Sequence, residues 1–431
     1  MTKHAAICQS DTFWDACDWT TYDGTVITNS TERDAYYYCK YTTLAAYDTA
    51  KARNLSEPEV CEILGPWTTP HAAYNGSTAW GTSEIINLLF VTVGVARHAG
   101  KYPIGNEFRI EDSALCWNVR TLNTTVDGVA AYNTGTASSV FSILNTKINC
   151  GFKNCIAKGG LYGFDLGSIS AGYGGFFAIN CIAVNSYSSG FRFDGVPYFI
   201  TILSNCVAYN CNTSNANYNG GFAVRISAQG GHSILINCIS ISNSYYDFYL
   251  YTYSANIQFK NCISSDLTAN WTDCYTGKTA GEIFTDATNG DFSIPLSSFA
   301  KDIGVFITGV TPDKDIRNTY RNPAAIDIGA WEYDTGYTPP AEQTILTITA
   351  NVSLVGAEVR IYDLDTSDGT FGTELSGTES HTSATYTYTG LRNNIIALQI
   401  MQTGYEEFLQ TLTLENPTQS LSVALKADVN A

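Results

Sequence analysis

The chain has 431 residues, with 23 Lys and Arg against 40 Asp and Glu, and a net charge of −17 at neutral pH. That balance leaves no basic footprint for phosphate, so neither nucleic acid nor an anionic membrane surface is an expected partner. Only 15% of residues are charged, Gly (36) and Tyr (28) abound, and Met occurs twice, at Met1 and Met401, which suits an extended all-β protein and argues against a helical bundle.

Met1 to Ser10 holds no apolar core of signal-peptide length, so the expected route is cytosolic synthesis without a leader. The first 30 residues, with Phe13, Trp14 and Trp19 among Asp and Thr, read as an attachment arm or a first strand pair. Over Tyr41 to Ala50, the spacing of Leu44, Tyr47 and Ala50 predicts a short helix, with Thr42 or Thr43 as its cap. Its expected task is to cap the open end of the neighbouring domain, because uncovered strand edges invite aggregation. Val60 to Leu64 and Ile85 to Val95 read as strands; the apolar run Ile85 to Ala96, broken by Asn87 and Thr92, is too short to span a membrane. Residues 1–110 are therefore expected to form an N-terminal cap and attachment region.

Repeats dominate the middle of the chain. Asn-Cys recurs at Asn154-Cys155, Asn180-Cys181, Asn205-Cys206, Asn237-Cys238 and Asn261-Cys262, at steps of 26, 25, 32 and 24. Each pair is followed by Ile or Val, and each is preceded two residues earlier by Phe152, Ala178, Leu203, Leu235 or Phe259. A second series keeps step: Phe164, Phe191, Phe222 and Phe248, the first three each behind a Gly and the last behind Asp247. A period near 25 with two or three short β-segments is one rung of a solenoid that buries its inner face only by stacking. The repeated Cys and the apolar residues after it are expected to fill the interior. The Phe side chains are expected to stack from rung to rung, and the Asn side chains to ladder at a tight bend. Val126 to Val129 and Ser139 to Asn149 alternate in strand fashion, so rungs begin before residue 150. Cys211 to Gly221 is an insertion projecting from one edge.

After Tyr333 the pattern changes. Asp334 to Gln343 contains Gly336 and Pro339-Pro340 and reads as a linker. Residues 344–431 lack cysteine and alternate as short strands, for example Ala357-Val359-Ile361 and Leu421-Val423-Leu425, which predicts a β-sandwich. The thirteen cysteines form no Cys-x-x-Cys pair and no zinc-type cluster with His, so reduced thiols are expected, with no metal and no cofactor. His71, His98 and His232 are isolated and read as structural.

Candidate chemistry lies after the Gly-Phe corner. Asp165, Arg192, Asp194, Arg225 and Asp247 form an outward ladder, with Asp194 and Arg225 at the same repeat offset and hence one rung apart. One reading is an Asp-based active site with Arg holding an acidic sugar; the other is a rung-to-rung salt bridge on a solvated face. Tyr249, Tyr251 and Tyr253 alternate onto one face of one strand. Together with Arg192 they are candidates for glycan contact, and they equally suit a subunit interface.

The repeats, with the stretch Ala325-Ile326-Asp327-Ile328-Gly329-Ala330-Trp331-Glu332 near Arg317 and Arg321, resemble right-handed parallel β-helix proteins of the pectin-lyase-like type. In those proteins such a stretch closes the last turn, which implies a β-helix over 111–333. The Thr-Leu-x-x-aromatic helix ahead of strands resembles the opening of β-helix proteins of phages and prophages, and the C-terminal region resembles prealbumin-like and immunoglobulin-like modules. Pectate lyases, polygalacturonases and phage tail spikes share the fold. The resemblance to the first two implies a Ca²⁺-binding carboxylate cluster or a set of Asp on adjacent rungs, and this sequence has neither an Asp-Asp pair nor an Asp-rich run. The expected function is a virion structural protein, a tail spike, tail fibre or head-decoration protein; the missing carboxylate patterns count against enzymatic activity without excluding it. It would contact other virion proteins, host-surface polysaccharide and copies of itself, with a trimer implied by the resemblance to β-helix spikes. The alternative is a polysaccharide lyase or glycoside hydrolase, with Asp194, Arg225, Asp165 and Asp247 as its residues.

Overall fold

The computed structural model describes residues 3–9, 14–15, 19–21, 26–51, 59–65, 67, 69–75, 88–93, 96–101, 107–120, 122–143, 149–168, 174–195, 199–212, 219–226, 232–252, 257–307, 310–333, 337, 343–350, 353–355, 357–365, 370–378, 385–391, 395–401, 403, 405, 408–413 and 418–425. The chain divides into two compact units, Met1–Tyr337 and Thr338–Ala431.

The first unit is a right-handed parallel β-helix built from three long parallel sheets. One rung shows the plan. Cys150–Lys153 lies in the first sheet, Ile156–Gly159 in the second and Tyr162–Ser168 in the third, and Gly174–Ile179 then returns to the first sheet beside Cys150–Lys153. The short bend between the first and second sheets is made by Asn in the left-handed region, with φ of 50° at Asn154, 51° at Asn180, 53° at Asn205, 52° at Asn237 and 50° at Asn261. Asn tolerates this conformation where most residues suffer a steric penalty, which is why the same residue recurs there. The amides also ladder, Asn180 Nδ2 donating to Asn154 Oδ1 at 2.9 Å and Asn237 Nδ2 to Asn205 Oδ1 at 3.4 Å.

Strand alternation then decides what goes inside. Cys155, Cys181, Cys206, Cys238 and Cys262 are fully buried in the central core, each thiol donating to a carbonyl of the preceding rung. All twelve cysteines among the described residues are free thiols, and burial pushes Cys155, Cys181 and Cys206 well above the ordinary thiol range, so they act as small apolar fillers. Phe141, Phe164, Phe191, Phe222 and Phe248 stack with centroids 4.7–5.1 Å apart and ring planes within 12°. Gly before Phe answers to a close approach: a Cβ on Gly163 would lie 2.7 Å from the Gly190 carbonyl oxygen, and one on Gly190 2.8 Å from that of Gly221. In the last strand of this sheet, Tyr246–Thr252, no further rung follows, and Asp247 can occupy the place.

One expectation is corrected here. The Ile or Val after each Cys does not enter the interior: Ile156, Ile182, Val207, Ile239 and Ile263 face out of the second sheet into a separate apolar cluster. Ala157, Ala183 and Ala208 are the neighbours that point inward. The outer face is buried because residues 265–333 run back along it, contributing Ile283, Phe284, Phe292, Ile316, Ile328 and Trp331. The stretch around Asp327 likewise does not close a last turn. The last strand of the second sheet is Ile263–Ser264, and Arg321 and Glu332 clamp the asparagine corner several rungs earlier. Arg321, 1% exposed, pairs with Glu332 at 2.8 Å and donates to Asn180 Oδ1 at 3.0 Å, while Asn205 Nδ2 donates to the carbonyls of Asp327 and Gly329. This insertion fills the gap in the amide ladder between Asn180 and Asn205.

The helix Leu44–Lys51 forms as the apolar spacing predicts, with Thr43 capping Ala46 N–H. Leu44 and Tyr47 are fully buried in the central core, and the Tyr47 hydroxyl donates to the buried Glu59 at 2.6 Å. It sits beside the terminal strand Tyr37–Tyr41 of the first sheet. The sheets reach outside 111–333: Lys3–Cys8, Glu59–Leu64 and Leu88–Val93 all belong to the first sheet. A second helix, Ser30–Tyr36, capped by Asn29, has too few turns to show a periodic signal.

The second unit holds a three-stranded sheet, in the order Thr385–Leu391, Gln343–Ala350, Thr418–Val423, and a four-stranded sheet, in the order Thr370–Thr378, Glu358–Asp365, Ile395–Met401, Phe408–Thr413. Ile348 and Val423 from the first and Val359, Ile361, Leu398 and Ile400 from the second share one apolar cluster.

Candidate functional site

The outer face of the third sheet has no cover among the described residues. Its residues are set by alternation: with Phe164, Phe191, Phe222 and Phe248 inside, the next residue of each strand points out. Asp165, Arg192, Ala223 and Tyr249 thus form one outward register column, and beside it the backbones of Asp194, Arg225 and Tyr251 align from strand to strand, the side chains of Asp194 and Tyr251 lying outside the described ones.

In the first column, Arg192 Nη1 stands 3.5 Å from Asp165 Oδ2, and its guanidinium lies 4.7 Å over the Tyr162 ring. Ser139 Oγ donates to the same Asp165 oxygen at 3.4 Å. Tyr249 stacks on Tyr246 with centroids 5.5 Å apart, and Tyr245, 42% exposed, packs edge-on to Tyr246. In the second column, Asp194 and Arg225 are Cα partners on neighbouring strands, as their shared offset predicts, and Tyr251 pairs with Arg225. Arg225 Nη2 donates to Asn219 Oδ1 at 3.1 Å. A register shift between Asp165 and Ser168 marks a bulge at this point of the face. Tyr253 lies outside the described residues.

Asp247 does not belong to the ladder. It is 1% exposed at the corner before Phe248 and accepts from Asn243 Nδ2 at 2.6 Å, Ser265 Oγ at 2.7 Å and Asp266 N–H at 3.0 Å. Burial, with Asp266 beside it, pushes its carboxyl up to about 6. A residue so enclosed ties the last rung to the segment after it and is not presented to a polymer. Its sequence offset from Phe is that of the corner Gly, one residue before the Phe where Asp165 is one residue after, and this is the signal that separates it from Asp165.

His71 and His98 are enclosed too. His98 is 2% exposed, its ring lying 2.8 Å from the Asn154 carbonyl, while Gly100 N–H donates to its other ring nitrogen at 3.2 Å. Burial lowers it to about 3, so it stays neutral and serves the asparagine corner. Sequence reasoning missed Tyr162, Tyr246 and Ser139 as members of the outer face. Tyr162 could have been found from its offset, because it precedes the Gly of the Gly-Phe corner.

The first unit is thus a parallel β-helix whose third sheet has an outer face uncovered among the described residues and carrying carboxylate, guanidinium and phenol groups. No protein-family model matches the chain, and no curated protein does. Among solved structures, pectate lyase Pel9A is similar at 13% identity with a TM-score of 0.37, over 78% of this chain and 97% of that one.

Proposed function

We propose that the protein binds polysaccharide along the open outer face of the third sheet, as a structural, glycan-contacting component of a virion surface. The observation that carries the glycan reading is the outward column Asp165, Arg192, Ala223 and Tyr249, one residue per rung at a spacing of about 4.8 Å, with Arg225 beside it. Charged forks take hydroxyl and carboxylate oxygens, and tyrosine rings take the apolar faces of sugars. Asp165 is already paired with Arg192 and Asp247 is enclosed, which supports binding over bond cleavage. Self-association is part of the same reading. Phe177, Ile202 and Ile234 stand in one column on the outer face of the first sheet, partly exposed, and Ile200 beside them is 49% exposed, an apolar stripe suited to a second copy of the chain.

A second reading, a depolymerising lyase or hydrolase, is favoured by Asp194 in register with Arg225 next to a bulge, a feature common beside active sites. One experiment separates the two: incubate the protein with bacterial surface polysaccharides and follow retention and polymer length by size-exclusion chromatography. Retention without shortening supports the binding role. Shortening that Asp194→Ala abolishes establishes the enzyme.

A further inference from the structure

The covered side of the β-helix holds a second opening. Where residues 287–292 cross the second sheet they leave a cleft of about 470 Å³, a size typical of small-ligand sites, which run roughly 300–1,000 Å³. Its floor is one register column: Lys158, Val184 and Tyr209 occupy the same position on three successive strands. At about 4.8 Å per rung, the column runs about 10 Å from the lysine to the tyrosine.

The two sides differ in chemistry. Ile156 and Val184 are apolar, and Phe292 of the crossing segment packs edge-on to Tyr209 with centroids 5.6 Å apart. The rim is amide: Asn185 and Asn210 both hold positive φ, at 56° and 51°, and Asn210 Nδ2 donates to Asn185 Oδ1 at 2.8 Å. Across the opening, Asn289 Nδ2 donates to Asp286 at 2.7 Å, which fixes that amide. Among the described residues, Lys158 is the only cation lining the cleft, at one end of the column.

We infer that this cleft is a binding site for a short saccharide carrying a carboxylate, of one or two sugar units, separate from the open face of the third sheet. The apolar floor and Tyr209 meet the C–H face of the ring, the amide rim meets its hydroxyls, and Lys158 meets the carboxylate. A chain with net charge −17 repels acidic sugars at long range, so a local cation set among amides is what such a ligand needs. The site stands on its own geometry and does not rest on the reading of the third sheet.

The test is a titration of the full chain with methyl β-D-glucuronide and, as neutral control, methyl β-D-glucoside, followed by calorimetry or ligand-observed NMR. Saturable binding of the glucuronide, weakened about tenfold by Lys158→Gln and also weakened by Asn289→Ala, is expected, because a hydrogen bond to a charged group is lost. Lys158 lies at one end of the floor and Asn289 on the crossing segment, and a circular-dichroism melt checks that each variant is folded. Lys260→Gln, at the exposed end of the last strand of the first sheet, should leave the glucuronide affinity unchanged. Absence of saturable binding, equal binding of the two sugars, or full affinity in Lys158→Gln would each overturn the assignment.

Discussion

The second and third sheets share the same alternation, yet their outer faces have opposite fates. The outer face of the second sheet carries Ile156, Ile182, Val207, Ile239 and Ile263, and residues 265–333 bury it. The third sheet carries Asp165, Arg192, Ala223 and Tyr249 at the equivalent outward positions, with Arg225 two residues beyond Ala223, and no described segment covers it. Apolar area on a strand face must be removed from water, at roughly 25 cal/mol per Å², whereas a polar face keeps its hydration. The residue next to the buried anchor therefore marks the face: β-branched residues after Cys demand a cover, whereas Asp165, Arg192 and Tyr249 after three of the Phe anchors keep their hydration without one.

Four substitutions and one pH series would break or sharpen this contrast. The largest effect is expected at the clamp on the covered side. Arg321→Ala leaves Glu332 buried without its partner and removes the bridge to Asn180, and should cost about 3–5 kcal/mol in urea unfolding. Next, Ile239→Ala opens a cavity between the second sheet and its cover and should cost about 2–4 kcal/mol, read from the same transition. A loss below about 0.5 kcal/mol at Ile239 would mean that the cover does not pack there as described.

The corner at Asp247 gives an intermediate effect with a defined sign. Its carboxyl titrates about 6 in the folded chain against an ordinary 3.8, so the folded state holds the proton more tightly. That contribution is fully present below 3.8 and fades as pH rises through 6, a swing of up to about 3 kcal/mol for two units. The stability difference between the native chain and Asp247→Asn should therefore change across that window and stay flat above it, as measured by unfolding at a series of pH values. The smallest structural effect belongs to the open face: Arg192→Ala should cost less than about 1 kcal/mol, since its pair with Asp165 is partly solvated. Tyr249→Ala should be similarly mild for stability, within about 1 kcal/mol.

Much of the first unit was legible in the sequence because its signals repeat. Asn at the bend, Cys and Phe inside and the offset joining Asp194 to Arg225 each recur or align at the rung period, and repetition separates them from chance. The cover was not legible. Residues 265–333 hold few regular elements, and their link to the second sheet depends on contacts such as Arg321 with Asn180, 141 positions apart. The direction of the Ile after each Cys was hidden for the same reason: in isolation Cys-Ile is an apolar pair, and only a covering segment makes room for both sides of a strand to be apolar. Asp247 was hard to place because an Asp at a Gly position looks like a member of the outward series until the corner geometry is seen.

The central claim is that the open face of the third sheet is a glycan-binding surface. It is tested most directly by immobilising candidate surface polysaccharides and measuring binding of the native chain beside an Arg192→Ala, Tyr249→Ala double variant whose unfolding transition matches the native one. The account predicts saturable binding by the native chain and at least a tenfold loss in the double variant at equal stability. Equal binding by the two proteins, or none by the native chain to any polysaccharide tested, would contradict it.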